Sequence, residues 1–239
     1  MSVSDCTAAP VTLQGSVQQY DTRQPLAGVR VGTVGGTTVT TDSNGGFSYP
    51  VPQGRNSVSL VLTQPGDGVP AFLRTLLQID DVAASRPALT LPGVLHDWRV
   101  SVAKACGVLA TDASDDDVLL YFNQRSTLLV ETGAAGIVSS QITVTVTQGA
   151  DSWSNTDNSS SDTAPGARVC FLEKDADGNI VGGTASATTE LGDFVMFRVR
   201  NEAGGGGGDA TVTVSGHGSA SISFDGAGQT GVVRLGSGW

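Results

Sequence analysis

Residues 24–54 read QPLAGVRVGTVGGTTVTTDSNGGFSYPVPQG, and this stretch decides the fold. Pro25-Leu26-Ala27-Gly28 is a turn that feeds Val29-Arg30-Val31, whose alternation suits a strand with one buried face. Residues 37–41 are all β-branched, which favours a pleated surface. Asp42-Ser43-Asn44-Gly45-Gly46 supplies the tolerance for positive φ that a tight hairpin needs. Phe47, Tyr49 and Val51 then alternate along the returning strand, which Pro50, Pro52 and Gly54 end.

With a strand before it at 12–17 and one after it at 57–62, this order resembles the carboxypeptidase regulatory-like (transthyretin-like) β-sandwich. The family pattern is a P-x-A-G-V-x-V strand, a T-D-x-x-G-x-F hairpin and a V-P-x-G exit, met here at 25–31, 41–47 and 51–54. The resemblance covers residues 11–92. It implies a fold and says little about activity.

The same features return more weakly. Gly166-x-Arg168-Val169 follows Gly28-x-Arg30-Val31, Gly192-x-Phe194 follows Gly45-x-Phe47, and 210–215 follows 57–62. The second passage has a longer middle connection, a hairpin shorter by one residue, and Gly204–Gly208 as a hairpin connection. The expectation is an all-β chain of two immunoglobulin/transthyretin-like β-sandwiches with a short helix between them. Its parts are an arm at 1–10, a first sandwich at 11–92, a linking helix at 93–110 and a divergent repeat at 111–239.

Composition agrees with that class. The 239 residues carry a net charge of −10, and only 15% of them are charged. No Lys/Arg cluster is present to displace counterions from nucleic acid, so that partner is excluded, and anionic membrane surfaces are disfavoured alike. No apolar run reaches the roughly 18 residues of a spanning helix. The chain also opens without a basic, apolar signal segment, so either it stays inside a cell or Met1 stands on a mature secreted chain. Low charge, abundant Ser, Thr and Gly, and the domain resemblance favour an extracellular or bacterial cell-surface location.

Between the sandwiches, Leu95, Trp98, Val102 and Ala105 recur at helical spacing before Gly107, although Val100 and Val102 keep an alternating strand open. Residues 111–117 read as an acidic turn before a strand at 118–122. Further strands are expected at 127–131, 136–147, 219–224 and 231–235. Residues 151–163 form a polar loop.

Three cysteines leave one over. Alignment with the first copy turns Val169 and Phe171 inward and Cys170 outward, where it can meet something lying on the sheet. Cys106–Cys170 is the preferred pair, Cys6–Cys106 the second choice, and three reduced thiols the remaining alternative.

Catalytic patterns are missing. With only His96 and His217, neither in a zinc-binding setting, a zinc peptidase is excluded, and no G-x-S-x-G elbow appears. The acids sit in polar turns rather than as a matched pair, so no enzyme is expected. Two acidic groups offer oxygens to calcium, Asp175 with Asp177 and Asp112 with Asp115 and Asp117, against a glycine-bulge turn and a solvated acidic turn. Trp153 with Asn155 and Asp157 has the aromatic face and polar neighbours that a sugar needs, against a tryptophan folded over a sheet end.

The expected function is therefore a non-catalytic secreted or surface binding module contacting protein or carbohydrate. The alternative is a structural subunit that joins copies of itself by strand addition, through the arm at 1–10 and the strand at 141–147.

Overall fold

The computed structural model describes residues 11–33, 35–51, 57–63, 75–82, 88–132, 142–148, 151–154, 168–185, 192–201, 208–224 and 228–235. Among the described residues the chain is all-β apart from two short helices. Its first strands are β1 (Thr12–Gln19), β2 (Arg30–Gly32), β3 (Thr38–Thr40), β4 (Gly46–Pro50), β5 (Ser57–Thr63), β6 (Thr75–Asp80) and β7 (Leu89–Gly93). Helices α1 (His96–Ala105) and α2 (Asp115–Gln124) follow. Then come β8 (Arg125–Glu131), β9 (Ile142–Gln148), β10 (Asp151–Ser154), β11 (Arg168–Lys174) and β12 (Ile180–Thr184). Strands β13 (Phe194–Asn201), β14 (Gly208–Val214), β15 (Gly218–Phe224) and β16 (Thr230–Arg234) complete the order.

The quoted stretch folds as its residues require. Phe47 and Tyr49 are buried and Ser48 is exposed. Asp42 Oδ1 accepts from the N–H groups of Asn44 and Gly46, both at 2.8 Å, and Gly45 has φ +74°. Thr41 is buried because its hydroxyl donates to Leu26 O at 2.7 Å and accepts from Val29 N at 2.9 Å.

Three sheets form. One holds β4-β1-β7, another β10-β9-β14-β15, and a nine-stranded sheet runs β12-β11-β13-β8-β16-β6-β5-β2-β3. Strand β16 lies parallel to both β6 and β8, and so joins strands from 30–80 to strands from 125–201 in one sheet. Strands in its middle are covered on both sides, which is why β8 and β16 are buried at nearly every position rather than at alternate ones, Ser126, Thr127 and Thr230 included.

Two cores result. On one face Leu60, Leu77, Leu129, Cys170 and Phe197 pack with Val17, Tyr49 and Leu91 of the three-stranded sheet and with Trp98 and Phe122 of the helices. On the other, Leu128, Val130, Phe171, Phe194 and Val233 pack with Val212, Ile222 and Phe224 of the four-stranded sheet. Positions matched between the two passages are paired differently. Phe47 lies in β4 beside β1, whereas Phe194 lies in β13 between β11 and β8.

Helix α1 forms where its spacing suggested, but its buried face is Trp98, Arg99, Val102 and Ala103 rather than one including Ala105. Its end is tied to the sheet by the Cys106–Cys170 disulfide, with the two Cα atoms 5.9 Å apart. Cys170 does point away from Phe171, onto the face that α1 covers, and it is wholly buried. Gly183 makes room for the bridge, because a Cβ there would lie 2.7 Å from Cys170 Sγ.

Two sequence expectations are corrected. Residues 118–122 are helical, not a strand. Ser114 Oγ accepts from Asp117 N at 3.2 Å while Asp117 Oδ2 accepts from Ser114 N at 3.3 Å, a reciprocal cap, and the acids of the first turn face the positive end of the helix. The polar loop expected from 151 begins later, because β10 pairs with β9 in a hairpin. The arm at 1–10 and the glycines at 204–207 lie outside the described residues.

Candidate functional site

Strand β1 ends in a turn with an unusual backbone. Gln19 N–H donates to Gln24 O at 2.7 Å, Arg23 N–H donates to Gln19 O at 2.9 Å, and Arg23 sits at φ +61°. An arginine in that region costs on the order of 1 kcal/mol or more, so the surrounding bonds hold it there. Two further bonds dock the turn on neighbouring segments, Tyr20 N–H to Gly93 O at 3.0 Å and Ile180 N–H to Asp21 O at 3.2 Å.

Tyr20 fixes the turn to a buried polar cluster. Its ring meets Trp98 edge-on at 5.2 Å, and its hydroxyl donates to Asp193 Oδ2 at 2.7 Å. Lys174 Nζ donates to the same oxygen at 2.9 Å, and Asp193 Oδ1 accepts from Thr132 N at 2.8 Å. Burial first, then the charges of Asp193 and Glu131, push the Tyr20 phenol well above its ordinary value.

Glu131 on β8 lies opposite Arg234 on β16 and accepts two bonds at Oε2, from Arg234 Nε at 3.0 Å and Nη2 at 2.7 Å. Burial raises the Glu131 carboxyl above its ordinary value, Arg234 opposes that rise and Asp193 adds to it.

A cavity of about 260 Å³ opens where these parts meet. Gln18, Gln19, Thr90, Leu91 and Pro92 line it from β1 and β7, Tyr20 and Arg23 from the turn, and Glu131 and Arg234 from β8 and β16. It brings amide, hydroxyl, carboxylate and guanidinium groups together over a small apolar surface, the composition of a site for a compact polar ligand. A larger cavity of about 610 Å³ beside β1 and β4 has Asp42 as the one charged lining residue among those described, and that carboxylate is engaged by the hairpin.

The residues singled out from sequence fall elsewhere. Trp153 lies in β10 opposite Val146, and Asn155 and Asp157 lie outside the described residues. Asp112 and Asp117 line a third cavity, of about 450 Å³, beside α2, while Asp115 opens the helix and Asp117 is bound to Ser114. Asp175 and Asp177 belong to the β11–β12 turn. Asp175 Oδ1 accepts from Asp177 N at 3.0 Å and Asn179 N at 2.8 Å, and Oδ2 accepts from Asn179 Nδ2 at 3.0 Å. Those bonds, led by Asn179, hold its carboxyl below the ordinary value. Among the described residues, no three His, Cys, Asp or Glu side chains are placed to hold a metal ion.

His96 is half-buried against Phe122, with ring centres 5.8 Å apart, and burial followed by Arg99 lowers its pKa. His217 lies in the β14–β15 turn, where its N–H donates to Val214 O at 2.9 Å. The cavity residues escaped sequence reasoning because Tyr20, Arg23, Glu131 and Arg234 share no local spacing. The available signal was a charged residue at the end of a strand in a chain poor in charge. No helix among the described residues is long and apolar enough to cross a membrane. Compared with known proteins, the chain matches no family model, no curated protein and no solved structure.

Proposed function

We propose that the chain is a non-catalytic binding module of the cell surface or of secreted proteins, built from two transthyretin-like sandwiches with helices between them, that contacts protein or carbohydrate. The observation that carries this reading is the cavity between the Arg23 turn and the Glu131–Arg234 pair. Its polar groups come from strands far apart in the chain, and a strained arginine stands at it. The Cys106–Cys170 bond supports an extracellular setting, since such bonds persist where the surroundings are oxidising. The test is a glycan and peptide array probed with the whole chain, beside Gln18→Ala and Trp153→Ala. Loss of uptake in Gln18→Ala alone supports the cavity. Loss in Trp153→Ala alone moves the contact to β10, and an array with no hits sinks the reading.

A second reading, a structural subunit joined by strand addition, is favoured by β15. This seven-residue strand stands at the end of its sheet and pairs only with β14 among the described strands. Light scattering across concentration decides it, because a monomer throughout excludes it.

A further inference from the structure

We infer that the cavity takes a sugar bearing a single carboxylate, a hexuronate, with Arg23 as the contact to that carboxylate; this rests on the binding-module reading above. The chain has a net charge of −10 and only 13 Lys and Arg residues, yet two arginines line one small cavity. Arg234 is neutralised by Glu131 through two hydrogen bonds. Arg23 has no side-chain hydrogen bond or ion pair among the described residues, and its side chain is exposed. Among the described residues the lining side chains therefore leave one positive charge over, carried by a residue held in a backbone conformation that costs stability.

That surplus fixes the charge of the ligand. A singly charged carboxylate meets the planar guanidinium fork with two parallel bonds. A dianion such as phosphate would carry its second charge toward Glu131. The remaining groups suit the rest of a sugar ring. Gln18, Gln19 and Thr90 offer donors and acceptors for hydroxyls, and Leu91 with Pro92 gives apolar surface for the ring carbons. At about 260 Å³ the cavity is smaller than the roughly 300–1,000 Å³ of sites for drug-sized molecules, which limits it to about one ring.

The experiment is a titration of the full chain with glucuronate and galacturonate, followed by nuclear magnetic resonance, with glucose, acetate and phosphate in parallel. A uronate should bind at least about tenfold more tightly than glucose or acetate, since it alone engages both the guanidinium and the hydroxyl partners. Arg23→Gly keeps the positive-φ turn at no steric cost and should weaken uronate binding about tenfold or more, with Tm unchanged or raised. Arg23→Lys, which keeps the charge and loses the fork, should fall between. Equal binding of glucose, equal or tighter binding of phosphate, or indifference to Arg23→Gly overturns the inference. A chain that takes up neutral glycans or peptides but no uronate loses this ligand class and keeps the binding-module reading. One that takes up nothing loses both.

Discussion

The guanidinium of Arg99 lies 3.8 Å from the centre of the Phe122 ring and donates one hydrogen bond, to Thr230 Oγ1 at 3.0 Å, with its Nε unpartnered. Among the described residues no carboxylate pairs with it, and burial lowers its pKa from the ordinary 12.5 to about 9. A buried cation held mainly by an aromatic face is a net cost that an apolar side chain of similar length can remove. Arg99→Met should leave stability unchanged or raise it by about 1–2 kcal/mol, whereas Arg99→Ala should lose about 2 kcal/mol or more to the hole it leaves. Urea unfolding measures both, and a large loss in Arg99→Met would show the guanidinium to be a net stabiliser.

Acidity gives Arg99 a second signature. Its folded pKa is depressed, so above about pH 9 the unfolded chain binds the extra proton and stability rises with pH. Between pH 8 and 10 the wild-type chain should gain stability relative to Arg99→Met. A constant difference across that window would contradict it.

Glu131 runs the opposite way. Its folded pKa is raised, so its contribution is fully present below the unfolded value and fades as pH rises through the folded one. The Tm of Glu131→Gln relative to wild type should therefore move in favour of the variant from pH 4 to 7, despite the lost bonds from Arg234. Thermal melts at several pH values read this directly.

The Cys106–Cys170 bridge closes a loop with a sequence separation of 64. Replacing both cysteines with serine should cost about 2–4 kcal/mol, most of it through the greater freedom of the unfolded chain. Denaturant titration of the double variant, against wild type with and without reductant, tests the size.

At the other helix, Ser114→Ala removes one half of the reciprocal cap and should cost about 1 kcal/mol, while Asp116→Asn at an exposed first-turn position should cost a few tenths. Equal losses would mean that the macrodipole, not the cap, secures the first turn.

Local pattern made much of this chain readable. The alternation of Phe47 and Tyr49, the Asp42 hairpin, the helical spacing around Trp98 and the outward turn of Cys170 are each set by neighbours a few residues away. Helix α2 was missed because Val118, Tyr121 and Phe122 are all at home in strands. The spacing of Ser114 and Asp117 was the quieter sign that a helix begins there. The cavity was beyond reach for another reason. Arg234 is placed by the pairing of β16 with β6 and β8, and Arg23 reaches it because the turn after β1 docks across onto that sheet through Tyr20–Asp193 and Ile180–Asp21, and no short-range rule encodes which distant strand will lie beside which.

That pairing also sets an order of events. Thr230 pairs with Thr75 on one side and Thr127 on the other, so β6 and β8 become neighbours only through a strand made long after both. While the chain is being synthesised, two central strands wait with open edges, and the closure that unites them is among the most non-local steps available to it. The two halves of the nine-stranded sheet can join only once β16 is made, and a chain halted before Thr230 would present two unsealed seams to its neighbours.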